Sequence, residues 1–186
     1  NLIADDVIPR RPGPMSTLEM LAAIETLLDR VCAKAGIARC DLSALGVGVP
    51  GFVDTSSGTV MWSSVLTDRT VPLAAAVQAR VGLPVTIDND ANLVTLAELW
   101  FGAGRSLADF AVVTIEHGVG MGYVINHRIY RGAQGLGMEL GHTKVQLDGA
   151  LCRCGQRGCL EAYIADYALA REATTALNWT HREGQS

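Results

Sequence analysis

Three cysteines fall within eight residues, as Cys152-x-Cys154-x4-Cys159, and His142 lies on the segment before them. No other feature constrains the fold as strongly. Cysteines two apart are strained disulfide partners, whereas one tetrahedral ion accepts thiolates at this spacing. Gly155 and Gly158 let the chain curl so that the sulfurs converge, and His142 adds a nitrogen. The result is a Cys3His set of the kind that holds a structural Zn2+. Arg153 and Arg157 are placed to offset part of the thiolate charge. The competing reading is a group of reactive or merely exposed thiols. The total of five cysteines is odd, which favours metal over a disulfide framework in a chain of cytoplasmic character. Cys32 and Cys40 read as ordinary residues, Cys32 on the apolar face of a helix where a free thiol behaves as a small hydrophobe.

Two carboxylates flank this cluster. Glu139 lies three residues before His142, and Glu161 lies two past Cys159. A loop folded around an ion brings both near the imidazole, one nitrogen of which holds metal while the other faces a ligand. Two carboxylates and an imidazole suit a set of hydroxyl groups, as on a polyol or sugar. The plainer reading of Glu161 is an acid placed at a helix N-terminus by the macrodipole.

The formal net charge of -4 leaves no basic footprint for nucleic acid, so any DNA-binding part is expected outside this chain. No apolar run reaches the roughly 20 residues of a membrane span, and no charged-then-apolar leader opens the chain. A cytoplasmic location without membrane contact is expected. The sequence starts at Asn1 without Met and closes on "NWTHREGQS", so it reads as a cut from a longer protein.

Ser16 and Glu19 form a capping-box pair, and Leu21, Ile24, Leu28, Val31, Cys32 and Ala35 recur at helical spacing. A helix over Ser16–Ala35 ending at Gly36 is predicted. "ALGVGVPG" reads as a short buried strand breaking at Pro50-Gly51, and "TSSG" as a turn. Pro72 opens a second helix and Gly82 closes it. "PVTIDND" is a strand leading into a helix whose inward face is expected at Leu93, Leu96, Ala97 and Trp100. "GAGRSLAD" is the expected lobe boundary, giving 1–106 to one lobe and 107–186 to the start of another. "FAVVTIE" reads as a third buried strand, followed by a hairpin turning at Asn126-His127. Leu160, Tyr163, Ile164, Tyr167 and Ala168 mark one final helix. Strands alternating with helices give an α/β class with mixed sheets. Ligands in such folds collect at the carboxyl ends of strands, here Pro50-Gly51, Asp88–Asp90 and Glu116–Gly122.

Taken together, "GVGVPGFVD", "IDNDANLVTLAELWFGAG" and "GLGMELGHTKVQLDGALCRCGQRGCLEAY" resemble the ROK family of repressors and sugar kinases over most of the chain. The third stretch is the specific one, since it sets four ligands and two acids at once. The resemblance implies an actin-like, ribonuclease-H-like two-lobed fold, present here as a fragment. It implies sugar-hydroxyl contacts from Asn89, Asp90, Glu139, His142 and Glu161, with Gly51 at the sugar's edge. It implies a structural zinc on His142, Cys152, Cys154 and Cys159. In the family's kinases the residue matching Asp90 is the general base, taking the proton of the hydroxyl that attacks the γ-phosphate of ATP. The plain alternatives are a helix N-cap for Asp90 and a turn residue for Asn89.

The family's kinases carry a Gly-Thr-Gly stretch after the strand matching "FAVVTI", whereas this chain has Glu116-His117-Gly118. An anionic side chain there opposes phosphate, and His117 is bulky. The stretch "IEHGVGMGYVINHRIYRGAQGLGMELGH" is similar to the repressor branch, whose members include xylose and N-acetylglucosamine repressors. The expected function is therefore the effector-sensing region of a sugar-responsive repressor. Its partners would be a sugar or sugar-phosphate effector, operator DNA through a helix-turn-helix outside this chain, and a second copy in a homodimer or higher oligomer. The alternative is a glucokinase-like sugar kinase using ATP and Mg2+, with Asp90 catalytic. The family's first phosphate hairpin and adenosine site match nothing in this chain, so the chain alone is expected to phosphorylate nothing.

Overall fold

The computed structural model describes residues 2–9, 11–133, 135, 137 and 139–183. Two compact units divide the chain, Asn1–Leu93 and Val94–Ser186.

The first unit begins with α1 (Thr17–Ala35), set by the expected capping box. The Ser16 hydroxyl accepts from Glu19 N, and the Glu19 carboxylate accepts from Ser16 N at 2.8 Å. β1 (Leu45–Val49) is followed by the antiparallel hairpin β2 (Phe52–Asp54) and β3 (Thr59–Trp62). The Asp54 carboxylate accepts from Ser56 N and the Ser57 hydroxyl, which fixes the turn between them. α2 (Leu73–Val81) runs from Pro72 to Gly82, as predicted. β4 (Val85–Asn89) pairs with β1 in parallel, from Leu45 opposite Val85 to Val49 opposite Asn89. The core gathers Leu21, Leu28 and Cys32 of α1 with Val53, Val60, Leu73, Val77 and Ile87. Leu73 and Val77 are fully buried, each worth about 1.5–3 kcal/mol of transfer free energy.

α3 (Asp90–Trp100) leads into the second unit. There β5 (Phe110–Ile115), β6 (Val119–Ile125) and β7 (Arg128–Tyr130) form an antiparallel meander. The β6–β7 hairpin turns at Asn126-His127, both left-handed at φ 51° and 60°, as the sequence indicates. A single 3-10 turn, Leu140–His142, precedes the cysteine loop, and α4 (Glu161–Ile164) and α5 (Asp166–Glu183) follow it. Among the described residues no helix is long and apolar enough to cross a membrane.

The structure changes four expectations. β1 and β5 are not buried strands: only Val49 of β1 is buried, and Ala111, Val113 and Ile115 of β5 are exposed. A continuous apolar run does not reveal that only alternate positions face inward. The hairpin partner β3 carries no strong alternation in "TVMW" and was not anticipated. On α3 the inward residues are Ala91, Asn92 and Thr95, whereas Leu93 and Trp100 are 38% and 59% exposed. That helix is apolar on several faces, so hydrophobicity could not choose its rotation. A polar anchor does, as Asn92 Nδ2 donates to Asp88 Oδ1 at 3.0 Å. The last helix is two helices, because Ala165 is extended at ψ 159°. Asp166 N turns away to donate to Glu116 O at 2.9 Å, and the Arg171 guanidinium satisfies the Ala162 carbonyl at 3.0 Å.

Candidate functional site

In the first unit the parallel pairing of β1 and β4 brings Gly51 and Asn89 together at the carboxyl ends of the strands. Asn89 Nδ2 donates to Gly51 O at 3.0 Å. Gly51 has φ 116°, and a Cβ there would lie 2.3 Å from Trp62 O, so no other residue fits. Ser63, also buried, clamps the preceding residue by donating from Oγ to Pro50 O at 2.6 Å. The helix cap falls to Asn89 rather than Asp90, since Asn89 Oδ1 accepts from Asn92 N at 3.2 Å. Asp90 accepts locally from Ala91 N at 2.9 Å and remains exposed at the first position of α3. Buried Asp88, expected only as part of the strand end Asp88–Asp90, is the organising residue. Its Oδ1 accepts from both Asn89 N and Asn92 Nδ2.

In the second unit the three sulfurs and one imidazole that are candidate metal ligands converge. Atoms of His142, Cys152, Cys154 and Cys159 all lie within 4.8 Å of one another. Cys154 Sγ and Cys159 Sγ are 3.7 Å apart, and Cys152 Sγ is 3.9 Å from His142 Nδ1. Tetrahedral zinc with bonds of about 2.3 Å to sulfur implies sulfur–sulfur separations of about 3.8 Å. The same distance is far too long for a disulfide, and all five cysteines are free. The loop is drawn in by Val145 N donating to Gly158 O and Leu160 N to Thr143 O, both at 2.9 Å. Gly158 is left-handed, and a Cβ there would sit 1.7 Å from Gln146 O, so the ligand spacing depends on glycine. Tyr163 Oη accepts from Ala150 N at 2.9 Å and donates to Gln146 Oε1 at 3.1 Å, closing the loop's far end.

The thiols differ in their electrostatic surroundings. Burial pushes Cys152 up to about 12, helped by the nearby Glu161 carboxylate. Burial also raises Cys159, but hydrogen bonds from Lys144, His142 and the neighbouring thiols outweigh it and bring it down to about 7. Tyr167 is raised by burial and by Cys152.

Glu161 is buried at the start of α4, and its carboxylate serves more than the helix end. Oε2 accepts from Val119 N at 3.3 Å, while Oε1 lies 3.5 Å from both Cys152 Sγ and Tyr167 Oη. It therefore joins the cysteine loop to the β5–β6 turn. Arg153 makes a second link, stacking 4.1 Å from the Tyr167 ring centroid and donating to His117 O at 3.4 Å. The turn itself is closed by Glu116 N donating to Gly118 O at 2.9 Å. Glu139 precedes the 3-10 turn, accepting through its carbonyl from His142 N at 3.1 Å, with its side chain exposed.

Comparison with known proteins places these features. The sequence model of the ROK family matches residues 7–184. The xylose repressor of Caldicellulosiruptor bescii is 36% identical over 151 residues, covering 81% of this chain and 38% of the repressor. A ROK family glucokinase from Streptomyces griseus, solved in complex with glucose and AMPPNP, superposes with a TM-score of 0.81 at 36% identity, over 91% of this chain and 53% of that one. A ROK family transcriptional regulator homologous to the E. coli Mlc protein gives 0.75 at 26% identity, over 89% and 42%. The chain thus spans about half or less of the length of these relatives, and its likeness reaches repressors and kinases alike.

Proposed function

The chain belongs to the ROK family, with the mixed α/β architecture of the actin-like sugar-kinase fold, and from that membership we propose that it is the sugar-sensing region of a transcriptional repressor. His142, Cys152, Cys154 and Cys159 hold a structural zinc. With four protein ligands the ion has no open position, and its role is to fold the loop. The loop in turn aims His142 and Glu161 toward sugar hydroxyls, with Glu139 beside them. Within the first unit, Gly51, Asn89 and Asp90 are proposed as sugar-hydroxyl contacts. Sugar binding is coupled to operator binding by a helix-turn-helix elsewhere in the protein, which requires different sugar affinities in two conformations. A homodimer matches a two-fold operator.

The observation that carries this reading is the β5–β6 turn. Binding a polyphosphate calls for backbone N–H groups turned toward the anion. Here Glu116 N is committed to Gly118 O and Val119 N to the Glu161 carboxylate. An exposed Glu116 carboxylate adds like charge where phosphate would approach.

The kinase reading keeps one supporting observation, the exposed Asp90 carboxylate at the head of α3. As general base it would take the proton of the attacking sugar hydroxyl, with ATP and Mg2+ bound by other parts of the protein. Assay of the full-length protein with ATP and a sugar panel, beside a thermal-shift screen with the same sugars, separates the two. Melting shifts without turnover are expected; turnover at ordinary enzymatic rates would replace the repressor reading with the kinase.

A further inference from the structure

We propose that Lys144 is a positioning residue of the metal centre, holding Cys159 in place and balancing the charge of the three-thiolate set. This rests on the zinc reading above. Three thiolates and a neutral imidazole around a divalent ion leave one net negative charge. The sequence suggested Arg153 and Arg157 for its compensation, but the structure sends both elsewhere. Arg153 goes to the Tyr167 ring and His117 O, and Arg157 donates to Gly149 O at 3.1 Å.

Lys144 takes the place at the sulfur. Its Nζ lies 2.9 Å from Cys159 Sγ and donates to Gln156 Oε1 at 2.6 Å. The backbone dictates this meeting, because Lys144 stands opposite Cys159 in an antiparallel bridge. The two flanking hydrogen bonds, Val145 N to Gly158 O and Leu160 N to Thr143 O, fix that register. Lys144 is exposed, yet its ammonium is held between two acceptors. Partners that hydrogen-bond to metal ligands orient them and strengthen their hold on the ion.

The test is competition for Zn2+ between a chromophoric chelator and full-length protein carrying Lys144, Lys144→Met, Lys144→Arg or Gln156→Ala. Lys144→Met is expected to weaken zinc binding about 10- to 100-fold, the usual range for such outer partners. Lys144→Arg should recover most of the loss. Gln156→Ala, which keeps the charge but loosens the side chain, should fall between. In the Co2+-loaded proteins, Lys144→Met should shift the thiolate-to-cobalt absorption band, a signature that altered loop folding alone does not produce. Tight zinc binding by the natural protein with Lys144→Met and Gln156→Ala both within twofold of it overturns the role of Lys144. Failure of the natural protein to hold zinc overturns the metal reading and this inference with it.

Discussion

Leu73 and Cys159 are both fully buried, in different surroundings. Around Leu73, two helices and four strands contribute aliphatic side chains to one continuous core, and each neighbour lowers the free energy by leaving water. Around Cys159 the buried apolar cluster is Cys152 and Ala162, with Ala150 and Tyr163 against it. The loop carrying these residues is held by a few backbone bonds and by ligands that converge on a point. Burial is spread out, so the first unit can lose one contact and keep its fold. With zinc bound as proposed, the cysteine loop concentrates its stability in four ligand atoms, so it is accurate in position but all-or-none. That accuracy suits the proposed role of the loop in positioning Glu161 and His142.

The sharpest way to break this comparison is to remove one ligand. Cys154→Ser should release about one zinc per chain by metal analysis. Amide exchange should then accelerate through the loop, at Val145, Cys152 and Gly158, while the first unit stays protected. Metal-dependent folding is worth roughly 10 kcal/mol or more in small zinc modules, so the loop should open outright. Retained zinc, or equal loosening of both units, would show that the loop stands on its own packing.

The reverse experiment truncates the aliphatic core. Leu73→Ala should destabilise the first unit by about 2–5 kcal/mol in denaturant titration, the range for a buried leucine. Zinc content should not change. Loss of metal in this variant would mean that the loop depends on the first unit's core.

Much of this contrast was legible in the sequence, for a physical reason. Metal ligands and helix caps are local codes: Cys-x-Cys-x4-Cys, Ser16 with Glu19, and Pro72 with Gly82 each fix geometry within a few residues. Each of these features stands in the structure where the sequence put it. What was not legible depends on distant partners. The rotation of α3 is set by Asp88 reaching Asn92, the break at Ala165 by Glu116 accepting from Asp166, and the compensating charge by Lys144 facing Cys159 across a bridge. Periodicity sees none of these, since the deciding atom comes from another segment. The choice of Asn89 over Asp90 as the helix cap was hidden in the same way, because it is Asn89 that supplies the bond three residues on.

Smaller changes should stay within their own unit. Tyr163→Phe removes the hydroxyl that pairs with Ala150 N and Gln146 Oε1, at an expected cost of about 1–3 kcal/mol localised to the loop. Exchange at Ala150 N would report it directly. Ser16→Ala removes the α1 cap and should cost about 1 kcal/mol in the first unit alone. A drop in zinc affinity with Ser16→Ala would argue that the units are energetically joined.

The gentlest probe is acid, and it should resolve the two regions by their order of failure. In the first unit, hydrogen bonding to Arg80 lowers the Glu25 carboxyl, and hydrogen bonding to Arg39 lowers Asp29. A carboxylate held below its unfolded value adds stability above that value and loses it as pH falls through the folded one. Their contribution is therefore complete at neutrality and fades below about pH 4, where ordinary carboxyls protonate. Both groups face solvent, so the effect should be slight and should shrink further in added salt. With zinc bound as proposed, the cysteine loop answers to a different competition, between protons and the metal for thiolates and imidazole. Its zinc should leave at a higher pH than the one at which the first unit weakens. Tracking zinc release and first-unit amide exchange along one acid titration tests this, and coincident midpoints would show a single cooperative structure.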